Sequence, residues 1–321
     1  MAFFDVFNGD ADGLCALVQL RLAEPRPATQ ISGVKRDIQL LERVAAAAGD
    51  TVTVLDISLD SNRGALQRLL ADGAQLAYFD HHFAGEIPAH AALHAVIDCS
   101  PAVCTSLLVD RQLRGAHGLW AIAGAFGDNL PEIAAPLAAR RGVTAAASAQ
   151  LRELGEALNY NAYGESLADL RYAPDELARL LLEAGDPFAF MAGGRHFAVL
   201  REGLLEDLAL ARGIAPLAVT PASAAYLLPD AAWARRVSGM FANELALAHP
   251  GRAHAILTGH SAGGYMVSVR APKARPAGAE TLCRQFPTGG GRAAAAGINR
   301  LDEASLAPFL DRLAHHFAAD C

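Results

Sequence analysis

Short apolar runs that end on a carboxylate or an imidazole recur through the first 130 or so residues, and they constrain the fold more than any other feature of the chain. AFFDVF leads into Asn8, Asp10 and Asp12; TVTVLD ends on Asp56; AQLAYFD ends on Asp80, followed by His81 and His82. Aromatic and β-branched runs of this length read as strands, and the segments after them, Leu14 to Leu20 and about Ser61 to Ala71, read as helices. HAVIDCSPAVCTSLLV continues as strand, turn and helix, and LWAIAGAFGDNLP as a helical run to Asp128. Alternating strands and helices predict an α/β fold built on a doubly wound, mostly parallel sheet. Such a sheet lines up its strand ends along one edge, where open α/β sheets bind ligands.

Residues 150 to 215 carry long helical patterns, among them PDELARLLLEAG and REGLLEDLALARG. From Pro216 the character changes to short strands, AAYLLP, HAILTG and GYMVSVRAP, then a glycine-rich FPTGGGRAAAAGIN and a last helix near Leu306 to Phe317. The expected organisation is a first domain over 1–195, a helical linker over 196–215, and a smaller α/β domain over 216–321. Alanine runs at 45–48, 145–147 and 293–296 favour helix on propensity alone.

The formal charge of −7 is unevenly spread. Residues 216 onward hold 10 Lys and Arg against 7 Asp and Glu, which leaves 17 against 27 for residues 1–215. An acidic front half suits cation binding and a mildly basic back half suits a small anionic substrate. Neither balance suits a protein that coats long duplexes, where many basic contacts are needed. No apolar run reaches the ~18 residues of a membrane span, and acidic residues interrupt the N-terminus where a signal peptide would be apolar. Five dispersed cysteines, Cys15, Cys99, Cys104, Cys283 and Cys321, have no CxxC spacing. They point to a reducing cytoplasm and away from a disulfide framework or a zinc ribbon.

Asp10, Asp12, Asp56 and Asp128, with His81, offer the mixed oxygen and nitrogen donors that suit manganese or magnesium. Two divalent cations about 3.5–4 Å apart serve in-line attack on phosphorus, with one carboxylate bridging them, and Asp56 at a central strand end is the candidate bridge. His82 is then free to meet the phosphate or the leaving oxygen, and Asp80 can orient an imidazole. Taken singly, Asp56 and Asp128 read more readily as loop or cap aspartates than as ligands. The adjacent pair His81-His82 behind a carboxylate has no comparable structural use.

Two other motifs compete. Asn8-x-Asp10-x-Asp12-Gly13 fits the first half of an EF-hand loop, but position 12 of that loop holds Gln19 instead of the bidentate glutamate. Gly259-His-Ser261-Ala-Gly263 matches a nucleophile elbow, which requires strand, turn and helix. Here GYMVSVRAP follows with strand alternation, so the segment reads as a hairpin link.

Asp80-His81-His82 behind an Asp-x-Asp-Gly strand end resembles the DHH phosphoesterases, and GGGRAAAAG at 289–297 resembles the substrate-binding motif of the DHH-associated domain in the phosphodiesterase branch. The resemblance spans nearly the whole chain. It implies that Asp10 and Asp56 hold one metal and that Asp12, Asp56, His81 and Asp128 hold the other, with manganese the expected ion and magnesium or cobalt as alternatives. It implies that His82 faces the substrate and that Gly289, Gly290, Gly291 and Arg270 contact it. The chain departs from the family pattern twice. Asn8 and Val6 stand where relatives place a further ligand of the first metal, and Arg292 stands where a histidine usually follows the glycines.

The expected activity is hydrolysis of very short oligoribonucleotides, such as linear pGpG, to mononucleotides. The alternatives are a 3′-phosphoadenosine phosphate phosphatase, a cyclic-dinucleotide phosphodiesterase, or a nucleotide-binding protein whose weakened first metal site has lost catalysis. Oligomeric state stays open.

Overall fold

The computed structural model describes residues 1–318; Cys321 lies outside them. The chain divides into two compact units, Met1–Gly203 and Leu204 onward. The first unit contains β1 (Phe3–Phe7), α1 (Ala11–Ala23), β2 (Thr29–Ile31), β3 (Thr51–Leu55), α2 (Arg63–Ala71), β4 (Gln75–Asp80) and β5 (Leu93–Ile97). Helices follow: α3 (Thr105–Gln112), α4 (Gly118–Gly127), α5 (Pro131–Arg140), α6 (Ala145–Tyr160), α7 (Pro174–Ala184), α8 (Pro187–Ala192) and α9 (Arg195–Arg212), the last of which runs through the division.

The five strands form one parallel sheet in the order β2-β1-β3-β4-β5. Side chains alternate between its faces. Val6, Val52, Val54 and Tyr78 join Leu66 and Leu69 of α2 in one core, whereas Phe7, Leu55 and Phe79 join α1, α4, α6 and α7 in the other. Helices therefore cover both faces, as expected of a doubly wound sheet. The register sets Phe7 beside Leu55 and Leu55 beside Phe79. Asn8, Asp56 and Asp80 consequently leave the sheet along one edge, beside the β1/β3 position where the strand order reverses.

Helix α1 is buried from Ala11 to Arg21. A helix apolar on nearly every side belongs inside a core, and Leu14 and Leu17, both fully buried, each contribute about 1.5–3 kcal/mol from burial. Its one buried cation, Arg21, forms a fork with Asp5 of β1 at 2.7 Å on each arm and reaches Thr53 Oγ1 at 3.1 Å.

The second unit adds β6 (Ala218–Val219), β7 (Ser223–Leu228), α10 (Ala232–Ala248), β8 (Ala253–Gly259), β9 (Tyr265–Arg270), α11 (Ala279–Cys283), β10 (Gly289–Gly291), β11 (Ala295–Leu301) and α12 (Leu306–Ala318). They form a mixed six-stranded sheet, β10-β11-β9-β8-β7-β6, in which β7 and β8 are parallel and the other pairs antiparallel. The sequence Gly259 to Gly263 lies in the β8-β9 hairpin, where the His260 N–H donates to Gly264 O at 3.1 Å, so no helix follows Ser261 and the nucleophile-elbow geometry does not form.

The alanine runs divide by context. Residues 145–147 open α6, with the Thr144 hydroxyl accepting from the Ala147 N–H. Residues 45–48 form no helix and lead into a turn at Ala48 and Gly49, where the Asp50 carboxylate accepts from the Ala47 and Ala2 N–H groups. Ala295 and Ala296 are strand residues paired with Arg270 and Val269 of β9. All four cysteines among the described residues are free thiols. No helix among them is long and apolar enough to cross a membrane.

Candidate metal centre

Each sequence-expected residue of the first unit occupies the C-terminal edge of the parallel sheet or a helix end beside it. Asp10 is the N-cap of α1; its Oδ1 accepts from the N–H groups of Asp12 and Gly13 at 3.0 and 3.1 Å. That satisfies two donors that an uncapped helix would leave open. Asp12, in the first turn of α1, accepts from the Thr105 and Ser106 N–H groups at 2.7 Å each. It thereby closes the exposed amides at the N-terminus of α3, where the helix dipole also favours an anion.

Asp56 follows β3 with φ of 59°, a left-handed backbone that an aspartate tolerates at some cost. Its N–H donates to Phe79 O of β4 at 3.0 Å, which holds the residue there. Asp128 is the C-cap of α4. It is drawn to the start of α1 because α4 packs against α1 and α6 without side-chain bulk: a Cβ on Gly127 would lie 2.3 Å from Ala11 Cβ and 2.7 Å from Gly155 O.

His81 stands at the centre. Its Nε2 lies 3.4 Å from Asp56 Oδ1 and 3.9 Å from both Asp12 Oδ2 and Asp128 Oδ2. Two overlapping groups result, Asp12-His81-Asp128 and Asp56-His81-His82, with the donor atoms of each group within 4.8 Å of one another. Ligands about 2.2 Å from a shared ion sit roughly 3–4 Å apart, so each group is close to the spacing that a divalent cation needs.

Electrostatics supply a second test of fit. Burial, followed by the charges of Asp10, Asp12 and Asp128, pushes the Asp56 carboxyl well above the usual carboxylate range. Burial and the charge of Asp12 push Asp128 up to about 7. Burial holds His81 below an ordinary imidazole despite its acidic neighbours, so it presents a neutral ring at neutral pH. Carboxylates that resist ionising together, around an imidazole that resists protonation, form a donor set that a divalent cation satisfies.

His82 is set apart. Its Nδ1 lies 2.7 Å from Asp80 Oδ1, and burial, which would lower it, is outweighed by the hydrogen bond and charge of Asp80, so its pKa is raised. Asp80 is fully buried, and its Oδ2 has no hydrogen-bond partner among the described residues.

Asp10 and Asn8 fall outside both groups. Asp10 Oδ2 pairs with Lys35 Nζ at 2.5 Å, and Asn8 Oδ1 accepts from the Asp10 N–H at 3.3 Å. Burial alone would raise Asp10, but the Lys35 charge and hydrogen bond with the Gly13 amide hold it at about 2. Lys35 was not legible as a site residue, since nothing in SGVKRD resembles a motif. Thr105, whose Oγ1 donates to Asp56 Oδ1 at 3.2 Å, was also missed; the start of a helix at CTS was its signal.

In the second unit the glycines are an edge strand and not a free loop. Gly289, Gly290 and Gly291 pair with Ile298, Gly297 and Ala296. Cβ atoms on Gly289 and Gly291 would meet Cys283 O at 1.8 Å and Ala296 Cα at 2.5 Å, whereas one on Gly290 would meet nothing. Arg292 follows as an exposed hairpin residue, its N–H donating to Ala295 O at 2.8 Å. Ala295 pairs with Arg270, whose guanidinium donates to Asn243 Oδ1 at 2.6 Å and Ser268 Oγ at 3.0 Å.

No protein-family model and no curated protein matches the chain. Solved structures do. The chain is similar to exonuclease RecJ bound to manganese, with 18% identity over 99% of this chain and 90% of that one and a TM-score of 0.64. RecJ from Thermus thermophilus in complex with manganese gives 20% identity over 100% of this chain and a TM-score of 0.61, and this chain spans about half of it, 52%. The pGpG-specific phosphodiesterase PggH from Vibrio cholerae gives 13% identity over 100% of both chains and a TM-score of 0.57. At these identities the likeness establishes the fold alone, the one shared with these RecJ and PggH structures.

Proposed function

We propose that the chain is a divalent-metal-dependent phosphodiesterase that hydrolyses very short oligoribonucleotides, such as linear pGpG, to mononucleotides. The approach of Asp12, Asp56 and Asp128 to within 4 Å of one ring nitrogen, His81 Nε2, carries the reading. These four side chains would hold the cation; manganese is the ion named in both RecJ structures, and magnesium or cobalt suits the same donors. When bound, the cation would supply Lewis acidity toward a phosphoryl oxygen and a lower pKa for the attacking water.

The remaining residues have distinct roles. His82 keeps its proton to a higher pH than a free imidazole, which suits donation to the leaving oxygen. Asp80 positions that ring through Nδ1. In the second unit, the open backbone edge at Gly289, Gly290 and Gly291, with Arg270 and the exposed fork of Arg292, is the proposed substrate-binding element. A guanidinium suits phosphate or a guanine edge. Likeness to the pGpG-specific enzyme over its full length and the modest basic balance of residues 216 onward favour a substrate with few phosphates.

The test is product formation from pGpG, a four- or five-nucleotide RNA, a long single-stranded DNA, 3′-phosphoadenosine phosphate and cyclic dinucleotides, with manganese, magnesium or chelator. Mononucleotide release fastest from pGpG and absent with chelator is the expected result. Preference for the long strand, the phosphomonoester or the cyclic substrates would replace the substrate assignment. No turnover with any metal would replace the enzyme by a binding protein.

A further inference from the structure

The donors at the sheet edge are unequally balanced. On one side, Asp12, Asp56 and Asp128 surround His81, and among the described residues no Lys or Arg ion pair touches any of the three. On the other side, Asp10 is already neutralised by Lys35, and Asn8 brings a neutral amide whose oxygen accepts from the Asp10 N–H. A carboxylate, an amide and an ammonium sum to no net charge. The unmet demand for a cation is therefore greatest on the His81 side, where none of the three carboxylates forms an ion pair with Lys35.

Lys35 is a built part of this place. The loop after β2 that carries it is tied to the end of β1, where the Ser32 hydroxyl donates to Phe7 O at 2.7 Å. The Lys35 N–H donates to Ala162 O at 2.8 Å. Its ammonium also reaches Asn159 Oδ1 at 3.4 Å and lies 5.5 Å from the centre of the Tyr163 ring. Those contacts come from the C-terminal end of α6 and the residues just beyond it. Ordering a lysine this way costs rotamer entropy that a solvated surface lysine keeps, and the strength of its pairing with Asp10 offsets that cost.

Resting on the reading of the His81 cluster as a metal site, we infer that the Lys35 ammonium is the resident cation of the Asp10 side, so that the centre takes one divalent ion where a paired site takes two. An ammonium is a compact point charge with three donors and no coordination geometry. Lys35 then serves as a fixed positive charge beside the ion, placed to meet a phosphate oxygen. The amide at Asn8, which stands out in the sequence, and Lys35, which only the fold brings to this side, become one substitution: a carboxylate is lost where a protein cation has replaced a metal.

The test counts ions. Manganese bound at saturation is measured by equilibrium dialysis with elemental analysis, near pH 8, for the wild-type chain, Lys35→Gln and Lys35→Arg, with circular dichroism to check folding. The expected count is one in wild type, one in Lys35→Arg and two in Lys35→Gln, where Asp10 is released to share an ion with Asp56. Two ions in wild type, or one in both wild type and a folded Lys35→Gln, would overturn the assignment. If Lys35→Gln fails to fold, the wild-type and Lys35→Arg counts decide it alone. No ion in any of the three would overturn the metal reading of the His81 cluster itself, and this inference with it.

Discussion

Two buried carboxylate clusters, one on β1 and one just beyond its end, come to opposite ends. Asp5, inside β1, meets Arg21 in a two-armed fork with Thr53 completing the donors, and both side chains are nearly inaccessible. Five residues on, Asp10 meets a lysine, and beyond it Asp56, Asp12 and Asp128 share one imidazole. The first cluster is complete in its charge and its hydrogen bonds. The second is short of positive charge, and the cost is visible in carboxyls pushed above their usual range. Closure marks a place built for stability, and deficit marks the place proposed for a cation.

Substitutions should therefore move stability and turnover in opposite senses at the two places. Asp56→Asn is expected to lower metal-dependent turnover by on the order of 1,000-fold, about 4 kcal/mol in barrier. The same change should raise the melting temperature of the metal-free chain, because Asp56, with its raised pKa, ionises inside the fold at a loss of stability as pH rises. Calorimetry and initial rates on one preparation check both signs; a lower melting temperature with turnover intact would mean that the residue is only structural. Arg21→Ala should do the reverse and cost about 3–5 kcal/mol in urea unfolding, since it strands the buried Asp5 charge. Turnover per folded molecule should stay at the wild-type value, and a loss of activity without a loss of stability would erase the distinction drawn here. The smallest effect is expected at Arg292→Ala, a rise in KM of about tenfold, the worth of one hydrogen bond to a charged group. A fall in kcat at constant KM would place Arg292 in the transition state instead.

Much of the carboxylate-lined edge was legible because parallel strands place consecutive strand ends side by side, so Asp10, Asp56 and Asp80 could be located from apolar runs alone. Asp128 was legible only as the end of a helical run; its approach depends on Gly127 and Gly155 letting helices close. Lys35 was invisible because its partner is 25 residues away and its loop has no pattern. The same holds for the cap that Asp12 gives α3 across 93 residues of sequence. Alanine at 293–296 misled by propensity, which pairing with β9 overrides at Ala295 and Ala296. The glycines at 289–291 announced a special backbone, but not that Gly289 and Gly291 are required by packing and Gly290 alone stands open.

The most direct test of the contrast is calorimetric titration of manganese into the wild-type chain at pH 6 and pH 8, in buffers of different ionisation enthalpy. Asp128, raised to about 7 by burial and by Asp12, is largely protonated at pH 6 and a carboxylate at pH 8. Binding should therefore be tighter at pH 8 and should release protons at pH 6. No binding at either pH, or binding of equal strength with no proton release, would contradict the claim that this cluster is held short of charge for a cation.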